Sequence, residues 1–126
     1  MSSINLGSIT SKFHEGLGTT VRLNKLASNW QPGEVYTFDH LYQEVSPSSP
    51  QALSLILSEL VQRGLLEKLV RVESPFTGGG IKDFRSVADV PGRIYDFHSN
   101  REIEVEPDNL RVLFKVPQHG TKLGRP

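Results

Sequence analysis

The sequence predicts an α+β fold in which helical patterns come first and strand patterns follow. Between residues 19 and 64, apolar residues recur at spacings of three and four, the period of a helix with one buried face. Between residues 93 and 116 they alternate with polar residues, as in strands that bury one face. A chain of 126 residues with 37% hydrophobic content fits one modest domain with a small core.

The first two helices are predicted from their apolar spacing and from the residues that end them. One helix begins near Thr19 and ends at Gln31-Pro32-Gly33. Its apolar positions are Leu23, Leu26, Ala27 and Trp30. Val35-Tyr36 predicts a short strand, and Thr37 is the expected N-cap of a second helix that ends at residues 46–50. The apolar positions of this helix are Phe38, Leu41, Tyr42 and Val45.

The third helix has the clearest pattern in the chain. Ser49 offers an N-cap oxygen, Pro50 suits the first helical position, and Gly64 ends the helix. The apolar stripe consists of Leu53, Ile56, Leu57 and Leu60. A buried strand is then predicted up to Pro75, followed by a glycine-rich mobile tip and a return strand over residues 81–84.

Further β structure is expected in residues 85–116. One strand runs from Arg93 to His98 and turns at Ser99-Asn100. A C-terminal antiparallel hairpin is expected around a connection at residues 107–110. Its expected partners on the apolar face are Val105 with Val112 and Ile103 with Phe114.

These elements predict four segments along the chain. Residues 1–18 form a flexible N-terminal segment, and residues 19–84 form the helical core with its strand hairpin. Residues 85–116 are a β extension that packs on the same domain, and residues 117–126 are a disordered tail.

Helix, short strand, helix, turn, helix and hairpin is the order of elements in the winged-helix superfamily. Residues 37–84 resemble its helix-turn-helix and wing, and Leu60 to Glu67 resembles the recurring end of its third helix. The resemblance extends over residues 19–84, about half of the chain. It implies a winged-helix-like domain whose third helix and wing are the contact surfaces.

Charge along the chain bears on which partner the third helix contacts. The chain has 14 basic and 14 acidic residues, and no lysine or arginine lies between Lys25 and Arg63. Residues 31–62 carry four acidic groups and no basic one, which disfavours binding to phosphates. The outer face of this helix is therefore predicted to bind protein, with a face that contacts solvent alone as the alternative. Its residues are Gln51, Ser54, Leu55, Ser58, Glu59 and Gln62.

The sequence accordingly predicts a non-catalytic adaptor or regulatory subunit that mediates protein–protein assembly, with another protein subunit or a second copy of the chain as partner. The alternative is a dimeric DNA-binding regulator that contacts nucleic acid weakly, mainly through its wing. Residues 63–93 contain six basic and four acidic residues. The basic candidates for that contact are Arg63, Lys68, Arg71, Lys82 and Arg85.

Groups for catalysis or metal binding are sparse in the sequence. The chain has no cysteine, and its four histidines are scattered. Asp96 and His98 share a predicted strand face and are the one pair to consider, either as a weak divalent-metal site or as an acid–base pair, but no nucleophile motif accompanies them. We therefore predict no catalytic residue, no metal and no cofactor. No apolar run approaches roughly 18 residues, so the chain is expected to be cytoplasmic rather than membrane-bound.

Overall fold

In a computed structural model of the protein, the structure describes residues 5–118. These residues are α+β, as the sequence predicts. The helices are α1 (Gly7–Lys12), α2 (Leu17–Ser28), α3 (Phe38–Val45) and α4 (Pro50–Gln62). The strands are β1 (Val35–Thr37), β2 (Glu67–Glu73), β3 (Gly80–Phe84), β4 (Arg93–Asp96), β5 (Arg101–Glu104) and β6 (Leu110–Lys115). Within the described range, residues 5–67 with 115–118 form one compact unit, and residues 68–114 form another.

Local hydrogen bonds fix the helix ends of the first unit. The Thr37 hydroxyl accepts from His40 N at 3.1 Å to start α3, and the Ser49 hydroxyl accepts from Ala52 N at 3.0 Å to start α4. After α4, Gly64 has a φ of 76°, a conformation that favours glycine. Both predicted N-caps and the predicted glycine stop are therefore confirmed.

The core of the first unit lies along the apolar stripe of α4. All four predicted residues of the stripe are buried, together with Leu23, Leu41 and Val45 from the two preceding helices. Residues 7–12, part of the segment predicted to be flexible, form α1, and its Ile9 and Thr10 are fully buried. Behind α1, Leu6 N donates to Asn24 Oδ1 of α2 at 2.6 Å.

The second unit contains two antiparallel arrangements. β2 lies between β6 and β3, and its register with β3 joins Arg71 to Asp83 and Val72 to Lys82, with an irregularity after Val72. β4 and β5 form a separate hairpin in which Ile94 faces Ile103. The predicted turn at Ser99-Asn100 is confirmed, with Asn100 at a φ of 58°.

The predicted C-terminal hairpin is wrong in its pairing. Ile103 pairs with Ile94 of β4, and β6 lies beside β2 instead of β5. Closing the short turn at residues 97–100 costs little entropy and still gives Ile103 an apolar partner. The expected alternation in β6 also fails, since Leu113 and Phe114 are both buried while Val112 is partly exposed. Alternation of apolar and polar residues therefore does not predict which positions of β6 are buried.

Two remaining predictions concern the ends and the membrane. Of the predicted disordered tail, Pro117 and Gln118 are described and Pro117 is buried, while residues 119–126 lie outside the described residues. Within residues 5–118, no helix has both the length and the apolar character needed to cross a bilayer.

Candidate functional site

The predicted outer face of α4 is presented on the surface of the first unit. Leu55 is 51% exposed, although it lies next to the fully buried Ile56. The polar side chains around Leu55 are exposed as well, namely Gln51, Ser54, Ser58 and Gln62. Five of the six predicted residues therefore form one uncharged helix face with a leucine near its middle.

Glu59, the sixth residue, is held between two cations. Its carboxylate accepts from Lys12 Nζ and from Arg63 Nε, each at 3.1 Å. The hydrogen bonds from Lys12 and then Arg63 lower the pKa of this carboxyl. The negative charge that the sequence assigns to this helix is thus balanced where it lies, and Lys12 comes from a helix 47 residues away in the chain. The face is close to neutral, so long-range repulsion of phosphates by α4 is weaker than the sequence implies.

Two of the predicted basic residues, Arg71 and Lys82, lie on opposite faces of the β2–β3 hairpin. Arg71 donates to both carboxylate oxygens of Asp83, at 2.7 and 3.0 Å, and this bond raises the pKa of the guanidinium. Lys82 Nζ lies 5.4 Å from the centre of the Phe84 ring. Opposed residues of an antiparallel pair share a face, so Lys82 points to the other side of the hairpin from Arg71.

The other three basic candidates belong to different elements. Arg63 caps α4 in the first unit and contacts Glu59. Lys68 is exposed on the face of β2 that carries Val72, about 13 Å before that residue at the usual strand rise. Arg85 is exposed after the end of β3. Two of the five residues, Arg63 and Arg71, are therefore engaged with carboxylates.

A buried carboxylate joins the tips of the two hairpins in the second unit. Asp96 is fully buried and accepts from the Ser74 hydroxyl at 2.6 Å, the Ser99 hydroxyl at 2.8 Å and His98 N at 2.9 Å. Burial raises the pKa of the Asp96 carboxyl, but the hydrogen bonds from Ser74, Ser99 and the backbone outweigh it and the pKa is lowered. Asp96 therefore stays ionised, and its hydrogen bonds connect residue 74, at the end of β2, to the β4–β5 turn.

His98 makes a separate contact with the β2–β3 hairpin. Its Nε2 lies 2.9 Å from the carbonyl oxygen of Gly80. Its ring also leaves no space for a side chain at Gly79, because a Cβ atom there would lie only 2.8 Å from the imidazole. The side chains of Asp96 and His98 therefore do not meet as an acid–base pair, because one is buried at the β4–β5 turn and the other contacts the β2–β3 hairpin. The Ser74 hydroxyl donates to Asp96, and this bond connects the two hairpin tips.

Sequence reasoning missed Ser74 and Ser99 as partners of Asp96. The spacing of Asp96 and Ser99 is a local turn signal, since Ser99 N also donates to Asp96 O at 3.2 Å. Ser74 lies 22 residues before Asp96, and no local pattern connects the two. Through these residues, hydrogen bonds connect the base of the glycine-rich tip, which the sequence predicts to be mobile, to the β4–β5 turn.

Exposed aromatic side chains surround the fastened tips, and the sequence analysis did not nominate them. Phe76, Tyr95 and Phe97 are 57%, 54% and 55% exposed. The Arg101 guanidinium lies 4.6 Å from the centre of the Phe76 ring, and the Phe97 and His98 rings are 4.3 Å apart. Exposed apolar residues that cluster, unlike single ones, mark candidate contact surfaces.

The first unit also has an open polar groove of about 410 Å³ between α2, β1 and α3. Arg22 in this groove donates to the carbonyl oxygens of Val45 and Ser46, which end α3. Tyr36 donates to Glu34, and burial followed by that bond raises its pKa to about 12. These groups already serve the fold, so the groove is a weaker candidate than the two surfaces above.

Comparisons with models of protein families, with curated proteins and with solved structures find no match for the chain. The function of the protein must therefore be inferred from the chemistry of its own surfaces.

Proposed function

We propose that the protein is a non-catalytic, winged-helix-like adaptor or regulatory subunit that binds another protein through the outer face of α4. The observation that carries this proposal is the neutral, leucine-centred surface of that helix. The centres of protein interfaces are depleted in charge and contain apolar anchors, and Leu55 is placed to be such an anchor.

The order of elements supports the winged-helix part of the proposal. α2, β1, α3, α4, β2 and β3 follow one another as they do in that superfamily, which the sequence resembles. In that arrangement α4 is the helix that reads a partner. A fold alone does not define a partner, so the choice between protein and DNA depends on the side chains.

Charge pairing favours protein over DNA as that partner. Phosphate binding requires lysine and arginine side chains that are free to neutralise a polyanion. Arg63 and Arg71 are already bonded to carboxylates, and Lys68 and Lys82 are well separated on the wing. The basic charge that the β2–β3 hairpin leaves for nucleic acid is therefore small.

Quantitative affinity purification with three tagged proteins tests the proposal. The wild type is compared with Leu55→Asp and with Val21→Asp, a matched control because Val21 is 56% exposed inside helix α2. We expect a partner that the wild type and Val21→Asp both retain and that Leu55→Asp loses. Size-exclusion chromatography with light scattering then shows whether that partner is a second copy of the chain.

Two results would count against the adaptor proposal. The first is an identical set of retained proteins for all three tagged forms, with native circular dichroism for each. The second is duplex DNA binding that weakens steeply with salt and disappears in the double variant Lys82→Ala, Arg85→Ala. That second result would favour the DNA-binding regulator.

A further inference from the structure

The fastened hairpin tips form a surface with interface-like composition. It consists of the exposed Phe76, Phe97 and Arg101, which we call the tip surface. Phenylalanine and arginine are enriched in protein interfaces, and arginine is among the residues that contribute most to binding. This surface belongs to the unit of residues 68–114, whereas α4 belongs to the other unit.

The structure holds this surface in a defined conformation before any partner binds. The Ser74 hydroxyl connects the two tips through Asp96, and it also accepts from Phe76 N at 3.2 Å. His98 packs against the Phe97 ring and contacts Gly80 O. A contact surface ordered in advance loses less conformational entropy on binding than a loose loop.

Arg101 determines which partner chemistry fits the tip surface. Its guanidinium stacks on Phe76 and, among residues 5–118, forms no ion pair with a carboxylate. The neighbouring acidic groups are already engaged, since Glu102 contacts Arg93 at 3.2 Å and Asp96 is buried among its donors. A stacked guanidinium keeps its edge donors available, and these match the two oxygens of a carboxylate.

We propose that the tip surface is a second docking site, and that it binds a protein segment in which an aspartate or glutamate lies beside an apolar side chain. The carboxylate binds Arg101, and the apolar side chain packs on the rings of Phe76 and Phe97. An adaptor needs two contact surfaces, and this one is independent of α4.

Single-stranded nucleic acid is the rival occupant, because its bases stack on aromatic rings and its phosphates bind arginine. The charge of the unit disfavours it. Residues 68–114 contain seven basic and eight acidic residues, so the unit as a whole does not attract a polyanion. A single carboxylate needs only the local charge of Arg101.

Selection from a library of random heptapeptides on the wild-type full chain tests the inference. We expect the enriched peptides to carry Asp or Glu next to Leu, Ile or Phe. Their affinities are then measured by fluorescence anisotropy for the wild type, Arg101→Gln, Phe97→Ala and Leu55→Asp. Loss of a charge-assisted, two-point contact should raise Kd about tenfold or more in Arg101→Gln. Phe97→Ala should also weaken binding, and Leu55→Asp should leave it unchanged.

Failure of this inference is distinguishable from failure of the α4 proposal, because the variants lie on different elements. Lack of acidic–apolar enrichment, or enrichment that Arg101→Gln and Phe97→Ala leave unaffected, overturns it. Labelled oligo(dT) serves as the nucleic-acid probe, and binding of it that the same two variants abolish also overturns the proposal. Both substituted residues are exposed, so matching melting curves are expected to show that the fold is retained.

Discussion

Two adjacent residues of α4 should separate stability from binding. Ile56 is fully buried, and truncation of a buried isoleucine to alanine costs about 2 to 5 kcal/mol in the free energy of unfolding. Leu55 is 51% exposed, so Leu55→Ala removes about half as much buried surface as it would in a core. Alanine is also the better helix former, which reduces the expected cost to about 1 kcal/mol or less.

For binding, the order of the two variants should be reversed, with the larger loss of affinity in Leu55→Ala. If Leu55 is an interface anchor, its truncation weakens partner binding by about 1 kcal/mol or more, which is roughly fivefold in Kd or greater. The folded fraction of Ile56→Ala should bind with almost the wild-type affinity, because this side chain does not reach the surface.

Guanidinium denaturation followed by circular dichroism gives the stability difference, and titration with the purified partner gives the affinities. Comparable destabilisation of the two variants would show that the buried and exposed faces of α4 are assigned wrongly. Equal affinity of Leu55→Ala and wild type would show that the proposed interface does not include this leucine.

Three further predictions concern the hairpin tips and the start of α4. Ser74→Ala removes a buried hydroxyl and should destabilise the protein by about 1 kcal/mol or more by denaturant titration, whereas the exposed Ser86→Ala should change stability by less than about 0.5 kcal/mol; equal effects would contradict the role of Ser74. The pKa of Asp96 is lower when folded than unfolded, so its contribution to stability is complete above the ordinary aspartate pKa and lost as pH falls through the lowered value. The melting temperature of the wild type should therefore fall more steeply below about pH 4 than that of Asp96→Asn. Parallel dependence of the two melting temperatures on pH would refute this. Ser49→Ala removes the N-cap of α4 and should cost about 1 kcal/mol, while Ser54→Ala on the same helix should be neutral or slightly stabilising when both are measured by thermal unfolding.

The sequence predicts the helices well because their signals are local. The caps Thr37 and Ser49 each act on a backbone N–H three residues later, so the pattern and the bond lie within one helical turn. The apolar stripe of α4 likewise needs one element to be recognised. Both features were therefore predictable without any knowledge of what the helices pack against.

Strand pairing was less predictable, because a strand can have several suitable partners elsewhere in the chain and the sequence pattern does not choose between them. Ile103 is compatible with Phe114 and with Ile94, and both pairings place apolar residues opposite each other. The choice depends on the short β4–β5 turn and on the neighbours of β6, neither of which the alternation of residues encodes. The bond from Ser74 to Asp96 was inaccessible to local patterns for the same reason.

The charges of α4 show most clearly how a count along the sequence differs from the pairing of charges in the fold. Counted along the sequence, α4 belongs to an acidic segment that should repel DNA. In the fold, Glu59 is paired with Lys12 and Arg63, so this carboxylate contributes little to that repulsion. The acidity of this segment alone therefore does not support a protein partner, and the prediction needs a different argument.

That argument comes from charges that are paired within each of the two units. Ion pairs join Arg71 to Asp83, Arg93 to Glu102 and Arg111 to Glu73, in addition to the pairs of Glu59. Exposed pairs of this kind add little stability, typically about 0 to 1 kcal/mol each. Their larger effect is on the electrostatic field, because paired charges attract neither phosphates nor other polyions over a distance. Several charges are thus paired within their own unit, while a leucine on α4 and phenylalanines at the hairpin tips are exposed. These features support the proposal of short-range contact with protein over long-range attraction of nucleic acid.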